Sequence, residues 1–234
     1  MRINKFIAAH SPNSRRKADE LIAEGRVKLN GKILKDLGTT IDPDSDQVSV
    51  NNIPLKPQAT KQSYVALHKP SGCVSTRNDE FNRKTILDLL PKNLNLKPVG
   101  RLDKDTEGLI FLSNDGDFIN RLTHPKFECQ KEYYGEIKGI LSYEDRNLLE
   151  KGVLIEGKKT APAKIKIIKK EAAKEKTIVT IVIHEGRKRQ IRKMFASINH
   201  PVKYLRRIRI GPVKLGNLAK GQYRFLTKSE INAF

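Results

Sequence analysis

The run LIFL at residues 109–112 consists of four large apolar side chains, which any fold of this chain has to enclose. Such a run between polar segments is typical of a strand that is buried on both faces. Directly before it, Gly100 and Gly108 bound a loop in which most residues are polar or charged. A loop anchored on a buried strand holds its side chains at a fixed position, and such loops often carry function. Taken alone, the pattern also fits an ordinary solvated turn, because Asp and Gly are common turn residues.

The chain carries a large excess of positive charge. It has 46 Lys and Arg against 26 Asp and Glu, a formal net charge of +20. No fold requires this excess, so we expect a polyanionic partner. The sequence contains no apolar run near 18 residues and no strongly apolar amphipathic helix, which favours nucleic acid over a membrane. Residues 187–229 contain thirteen Lys or Arg and no acidic residue, which favours a polyanion-binding surface over a charge-balanced solvated face.

Several further features set the class of protein. A length of 234 residues with 38% hydrophobic content is enough for a folded core. The first ten residues carry charges where a signal peptide would be apolar, so we expect a cytoplasmic protein. Cys73 and Cys129 are far apart and match neither a disulfide framework nor a metal site, and His68 and His124 add no metal motif. We expect no metal and, since no dimer seam is evident, a monomer.

Residues 1–50 are expected to form a small unit of helices and strands. Apolar residues at positions 3, 6 and 7 have helical spacing, and Ser14 can cap a second helix over residues 15–24. Gly25 stands where a helix ends, and Asn30-Gly31 is a strong hairpin signal between two alternating segments. Nine basic residues occur up to position 35, so this unit can bind phosphates.

Residues 51–63 have the composition of a linker, and residues 64–234 are expected to form the larger domain. In it, residues 165–168 and 177–184 alternate as two strands of a hairpin, and Tyr133, Gly135 and Ile137 share one face of another strand. Short helices are expected over residues 85–90, 118–122, 141–152 and 189–195. Because the strands come in hairpins without regular βαβ alternation, we expect an α+β fold with a mainly antiparallel mixed sheet and flanking helices.

The segment GRLDKDTEGLIFLSNDGDF, which spans the loop and the apolar run, resembles the signature of the RsuA-type bacterial pseudouridine synthases. The resemblance implies that Asp103 is the catalytic aspartate and that Arg101 belongs to the same motif. Residues 68–76, HKPSGCVST, are similar to the start of that family's catalytic domain. This likeness suggests that Lys69 touches RNA, although an ordinary turn lysine fits equally well.

Two further segments resemble motifs of the same family. Lys131-Glu132-Tyr133 implies that Tyr133 lies in the active site, where its ring would stack on uracil and its hydroxyl could help to remove a proton. Core packing is the alternative for this side chain. In the motif RQIRKMF and the residues after it, the resemblance implies that Arg192 pairs with Asp103 and that Leu205 lines the pocket. An adjacent arginine would keep the carboxylate ionised and fix its orientation.

The segment SRRKADELIAEGRVKLNG resembles the S4 RNA-binding domain. The likeness implies contacts with the RNA backbone, which give affinity and register without sequence information. A solvated basic face is the alternative. The candidate contact residues are Arg15, Arg16, Lys17, Arg26 and Lys28.

Together these likenesses imply the isomerisation of a uridine in RNA to pseudouridine without a cofactor. Asp103 could attack C1′ or act as a base at C2′, and the sequence does not choose between them. The S4-like segment and residues 69–76 look more like the large-subunit branch, so 23S ribosomal RNA is favoured over 16S ribosomal RNA or tRNA. A non-catalytic ribosome-associated RNA-binding protein is the alternative from another class, and a two-carboxylate glycosidase would not need the basic excess.

Overall fold

The computed structural model describes residues 1–56, 61–76, 79–91 and 94–234. The chain divides into two compact units, Met1–Lys61 and Gln62–Phe234. As expected from the sequence, the architecture is α+β, with helices flanking a mixed sheet in the second unit. Within the described residues, no helix combines the length and the apolar character needed to cross a membrane.

The first unit packs two helices on a small antiparallel sheet with the strand order β2-β1-β3-β4. Apolar side chains from both helices and from the first and third strands form its separate core. Its elements are α1 (Ile3–His10), α2 (Arg15–Ala23), β1 (Val27–Leu29), β2 (Lys32–Ile33), β3 (Val48–Val50) and β4 (Ile53–Pro54).

Local sequence signals explain these elements. The Ser14 hydroxyl accepts a hydrogen bond from the Lys17 amide at 3.1 Å and so caps α2, as predicted. Gly25 follows the helix with φ of +70°, a conformation that favours glycine. Asn30 and Gly31 both have positive φ and connect β1 to β2, which confirms the predicted hairpin.

The first unit extends further along the chain than residue 50. Asn51 and Asn52 form a turn with positive φ, and β4 then pairs with β3. Residues 51–54, which we predicted to be linker, therefore belong to the sheet of the first unit. Residues 57–60 of the predicted linker lie outside the described residues.

The second unit is built on a sheet whose described strands follow the order β11-β12-β8-β13-β7-β5-β15, with β14 paired to β13 and β6 to β7. The β13–β7 pair is parallel, and the other described pairs are antiparallel. The strands of this unit are β5 (Tyr64–Lys69), β6 (Lys97–Val99), β7 (Glu107–Ser113), β8 (Lys131–Lys138), β9 (Leu154–Ile155), β10 (Lys158–Lys159), β11 (Lys164–Glu171), β12 (Lys176–Ile183), β13 (Val202–Ile210), β14 (Val213–Lys214) and β15 (Tyr223–Phe225).

Helices and short 3-10 turns connect these strands. The predicted helix over residues 85–90 is a single 3-10 turn, and the one predicted over residues 141–152 begins later, after the cap Ser142. The helices are α3 (Gly116–Thr123), α4 (Tyr143–Lys151), α5 (Gln190–Ala196) and α6 (Lys228–Asn232), and the 3-10 turns are Ile86–Leu89, Pro125–Phe127 and Ala172–Lys174.

The strand β7 occupies the interior of the sheet, between β13 and β5, and all seven of its residues are buried. This confirms the interpretation of the run LIFL as a buried strand. At its start, Gly108 has φ of +106° and lies against the backbone of Arg207 on β13. The absence of a side chain at this glycine allows the two parallel strands to approach each other.

Candidate functional site

Residues 100–106, here called the Asp103 loop, lead from β6 into β7 and are held by hydrogen bonds from a neighbouring segment. The Ser75 hydroxyl donates to the Leu102 carbonyl at 3.0 Å and accepts from the Leu102 amide at 3.2 Å. The Gly72 amide donates to the Lys104 carbonyl at 2.8 Å. The backbone on both sides of Asp103 is therefore fixed by residues that lie about thirty positions earlier in the chain.

Lys69 also holds the Asp103 loop in place, through hydrogen bonds to carbonyl oxygens of the loop. Its side chain is fully buried, and Nζ donates to the carbonyl oxygens of Pro70, Lys104 and Thr106 at 3.1, 3.2 and 2.8 Å. Burial lowers the pKa of this ammonium group to about 8. The expectation that Lys69 touches RNA is corrected, because an enclosed ammonium group cannot reach a phosphate. Its position at the end of the buried strand β5 explains the difference.

The Asp103 loop forms one wall of a cleft of about 680 Å³. Tyr133 on β8, Leu205 on β13 and the helix α5 contribute other parts of its lining. The structure thus brings together side chains that are separated by up to about a hundred positions in the sequence. The cleft contains all five residues that the sequence assigned to an active site: Arg101, Asp103, Tyr133, Arg192 and Leu205.

The arginine predicted to pair with Asp103 instead contacts Asp105. Nη2 of Arg192 lies 3.3 Å from the Asp105 carboxylate and donates to the Asp105 carbonyl at 3.1 Å, while Nη1 donates to the Val202 carbonyl at 3.0 Å. Arg189 adds two hydrogen bonds to the same carboxylate, at 3.1 and 3.2 Å. The predicted Arg192–Asp103 pair is therefore corrected to a triad of Arg189, Arg192 and Asp105.

The electrostatics of the triad keep Asp105 ionised. Partial burial opposes the charged form, but the hydrogen bonds from Arg189 and the charge of Arg192 hold the pKa of Asp105 below its usual value. By contrast, the half-buried Asp103 carboxylate has neither a hydrogen bond nor an ion pair with any residue that the structure describes. Its oxygens remain available to a bound molecule, and the charges of Arg189 and Arg192 lie close by.

Tyr133 is held by a buried arginine that the sequence analysis did not single out. Arg207 on β13 stands opposite Tyr133 on β8, and its Nη1 donates to the Tyr133 hydroxyl at 3.3 Å. Its Nε donates to the Leu109 carbonyl at 2.6 Å. Only 3% of Arg207 and 8% of Tyr133 is exposed. Tyr133 therefore both packs in the core and lines the cleft, so the two interpretations of this side chain are compatible.

The remaining predicted contact residues lie in the first unit, on α2 and around β1. Arg15, Arg16, Lys17 and Arg26 are exposed and Lys28 is half-buried. Lys17 pairs with Glu20 at 2.8 Å and Arg26 with Glu24 at 2.9 Å. Arg16 and Lys28 have no partner among the described residues.

Sequence reasoning missed several residues that build the cleft. Ser75 lies within the quoted motif HKPSGCVST, but nothing local marks its hydrogen bonds to Leu102. Asp105 lies in the predicted loop between Gly100 and Gly108, and nothing in the sequence marks it as the partner of Arg192. The alternation of Leu205 and Arg207 on one face of β13 was the available signal for Arg207, because both residues are buried beside the cleft.

The chain is similar to known proteins over both of its units. A family model described as RNA pseudouridylate synthase matches residues 63–197, and the model of the S4 domain matches residues 1–48. Ribosomal large subunit pseudouridine synthase B of Bacillus subtilis (strain 168) is 44% identical over 232 residues, covering 98% of this chain and 93% of the relative.

Two other proteins match over almost the whole chain. An uncharacterized RNA pseudouridine synthase of Aquifex aeolicus (strain VF5) is 39% identical, with 99% of this chain and 92% of the relative covered. A crystal structure of a pseudouridylate synthase matches with a TM-score of 0.72 and 34% identity, over 100% of this chain and 99% of the other.

Proposed function

Since this chain belongs to the RNA pseudouridine synthase family, we propose that it isomerises a uridine of ribosomal RNA and that Asp103 is the reacting carboxylate. The observation that supports this assignment most is the cleft, in which Asp103, Tyr133 and Leu205 meet. An ionisable group without a partner, an aromatic ring and an aliphatic side chain are the groups needed to hold an extruded uracil and act on its sugar.

The reaction breaks the bond between N1 and C1′, turns the uracil in place and joins C5 to C1′. The proton on C5 is lost and N1 gains one, so the conversion is an isomerisation that consumes no cofactor. Asp103 acts at the sugar, either as a nucleophile at C1′ or as a base at C2′. Both roles require a carboxylate whose oxygens no neighbouring residue engages, as is the case for Asp103 among the described residues.

Tyr133 and the arginines have supporting roles in this proposal. The Tyr133 ring stacks on the uracil and Arg207 fixes the ring, so the hydroxyl is in a constant position to relay the C5 proton, accepting it while passing its own proton to solvent. Arg192 and Arg189 hold the Asp103 loop through Asp105. Extruding a uridine from a hairpin costs a few kcal/mol, about as much as one stacking and pairing step, and the basic surface around the cleft offsets this cost.

The RNA substrate is proposed to be 23S ribosomal RNA. The support comes from the Bacillus subtilis relative, whose name specifies the large subunit and which matches nearly the full length of both chains. The S4 domain at residues 1–48 supports a structured RNA, because exposed cations on α2 can contact the backbone on either side of a target loop.

Release of tritium from C5-labelled uridine tests the proposal. Transcripts of 23S ribosomal RNA, 16S ribosomal RNA and tRNA are incubated separately with the wild type and with Asp103→Asn. We expect release from the 23S transcript alone, and its loss in Asp103→Asn with RNA binding retained. Asp117→Asn is the control, because Asp117 is exposed on α3 and outside the cleft. Release by Asp103→Asn would contradict the role of this aspartate, and release from another RNA would contradict the choice of substrate.

A further inference from the structure

A second cavity, of about 540 Å³, opens on the opposite face of the same sheet from the cleft. Side chains of a strand alternate between its faces. Tyr133 and Leu205 line the cleft, whereas the adjacent Glu132 and Arg206 line the second cavity. This cavity, here called the rear pocket, also includes His68 from β5 and the segment from Lys214 to Leu218.

The rear pocket has more positive charge than its own acidic group can balance. Glu132 accepts a hydrogen bond from Arg209 at 2.7 Å, which uses one carboxylate and one cation. Arg206 and Lys214, which also line the pocket, have no acidic partner among the described residues. Two uncompensated cations beside a neutralised pair favour the binding of an anion.

Two enclosed nitrogen atoms of the rear pocket residues lack hydrogen-bond partners within the described part of the chain. They are Nε2 of His68, a residue that is only 6% exposed, and Nε of Arg206. On the other side of the histidine ring, Nδ1 lies 2.8 Å from the Leu218 carbonyl and so carries the proton. Because unpaired buried polar atoms are costly, a small shift of the surrounding side chains that lets a ligand reach these two nitrogen atoms would be favoured.

We propose that the rear pocket binds a phosphoryl group, carried by the backbone of RNA or by a free nucleotide. The guanidinium of Arg206 and the ammonium of Lys214 suit phosphate oxygens. Nε2 of His68, whose ring carries its proton on Nδ1, accepts from a ribose hydroxyl once the enclosing side chains shift. Only the RNA source depends on the function proposed above, since a nucleotide site would stand without it.

The surroundings of the rear pocket favour RNA as the source. The Arg206 guanidinium lies over the ring of Tyr134, 5.5 Å from its centroid, and Tyr204 packs edge-on against the same ring at 6.1 Å. Both tyrosines are half-buried. Aromatic rings beside a basic pocket are the usual composition of a surface that binds unpaired RNA. An unpaired RNA segment whose phosphate group enters the rear pocket therefore places a base against the rings of Tyr134 and Tyr204.

The test compares two double variants that lose the same charge. Arg206→Gln with Lys214→Gln removes the uncompensated cations of the rear pocket. Lys164→Gln with Lys166→Gln is the control, because these lysines are exposed on β11 and also lack partners among the described residues. Calorimetry measures the binding of inorganic phosphate and uridine 5′-monophosphate, and filter binding measures a 23S ribosomal RNA transcript as salt increases.

We expect phosphate and the nucleotide to bind the wild type and the control alike, and the pocket variant at least tenfold more weakly. A parallel loss of RNA affinity, with a salt slope lower by about 1 to 2, identifies RNA as the source. Unchanged RNA affinity identifies a nucleotide. Equal binding of phosphate and nucleotide by all three proteins, or by none, overturns the proposal. These measurements do not require pseudouridine formation, so a failure of the proposed function would be seen separately, as absent tritium release.

Discussion

Arg192 is the side chain that connects the Asp103 loop to the opposite wall of the cleft. One of its nitrogens reaches the Val202 carbonyl at the start of β13, and another reaches Asp105. A lysine keeps the charge but presents a single nitrogen, which cannot make both contacts. We therefore expect Arg192→Lys to lower kcat/KM by at least about tenfold, measured by tritium release.

Arg189→Lys provides the matched control for this prediction. Arg189 also contacts Asp105 through its guanidinium, but it is more exposed than Arg192 and has no second anchor on β13. Exposed ion pairs contribute little to holding a loop in place. We therefore expect Arg189→Lys to lower kcat/KM by no more than a few-fold. Equal activities of the two variants would contradict the view that Arg192 positions the loop.

The free energy of unfolding is expected to depend on pH through one buried group, the side chain of Lys69. Its pKa is about 8 in the folded chain because of burial, against about 10.4 in an unfolded chain. Between these values the unfolded chain binds the proton that the folded chain has released. The contribution of Lys69 to the free energy of unfolding therefore rises with pH in this window, by up to about 1.4 kcal/mol per pH unit.

Urea unfolding of the wild type and Lys69→Met measures this contribution. The variant lacks the titrating group, so other pH effects cancel in the difference. We expect the free energy of unfolding of the wild type, relative to the variant, to increase from pH 8 to pH 10 and to be constant below pH 7. A difference that falls with pH would show that the folded chain favours the ammonium form, because the three carbonyl oxygens then outweigh the cost of burial.

At the scale of secondary-structure elements, the close pairing of β13 with β7 controls the position of the cleft. A Cβ added at Gly108 would lie 2.6 Å from the Arg207 amide nitrogen and closer still to its carbonyl oxygen. Gly108→Ala would have to separate the two strands, so we expect a loss of about 3 kcal/mol or more in the free energy of unfolding. Gly116→Ala is the control, because an added Cβ there meets no atom within 4 Å at the start of α3. We expect that control to be neutral or slightly stabilising in the same urea measurement.

The elements show which features of the fold a sequence can reveal. The cap at Ser14, the turn at Asn30 and the buried run in β7 depend on neighbouring residues, and all three were predicted correctly. The partner of Arg192 and the burial of Lys69 were not, because both depend on contacts between segments distant in sequence. Family resemblance selected the cleft residues, but it paired Arg192 with Asp103, whereas in the structure Arg192 contacts Asp105.

At the scale of the whole molecule, both units are expected to contact RNA. Arg15 and Arg16 are exposed at the start of α2. Reversing both charges should weaken RNA binding and reduce the slope of log K against log salt by up to about 1.4 to 1.8, since each phosphate contact contributes about 0.7 to 0.9. Filter binding at several salt concentrations measures both quantities. Reversal of Lys32 and Lys35, equally exposed in the same unit, is the control, and an unchanged slope in the Arg15 and Arg16 variant would remove α2 from the binding surface.

The position of β7 between β5 and β13 also has a consequence for how the protein is made. A growing polypeptide completes Asp103 and β7 well before β13 leaves the ribosome, and at about 5 to 20 residues per second the delay is about 5 to 20 s. During that interval β7 presents an unpaired apolar edge. For most of that interval Leu205 and Arg207 have not yet been added to the chain. An unfinished molecule therefore has no complete cleft, and it cannot modify RNA while its own translation is in progress.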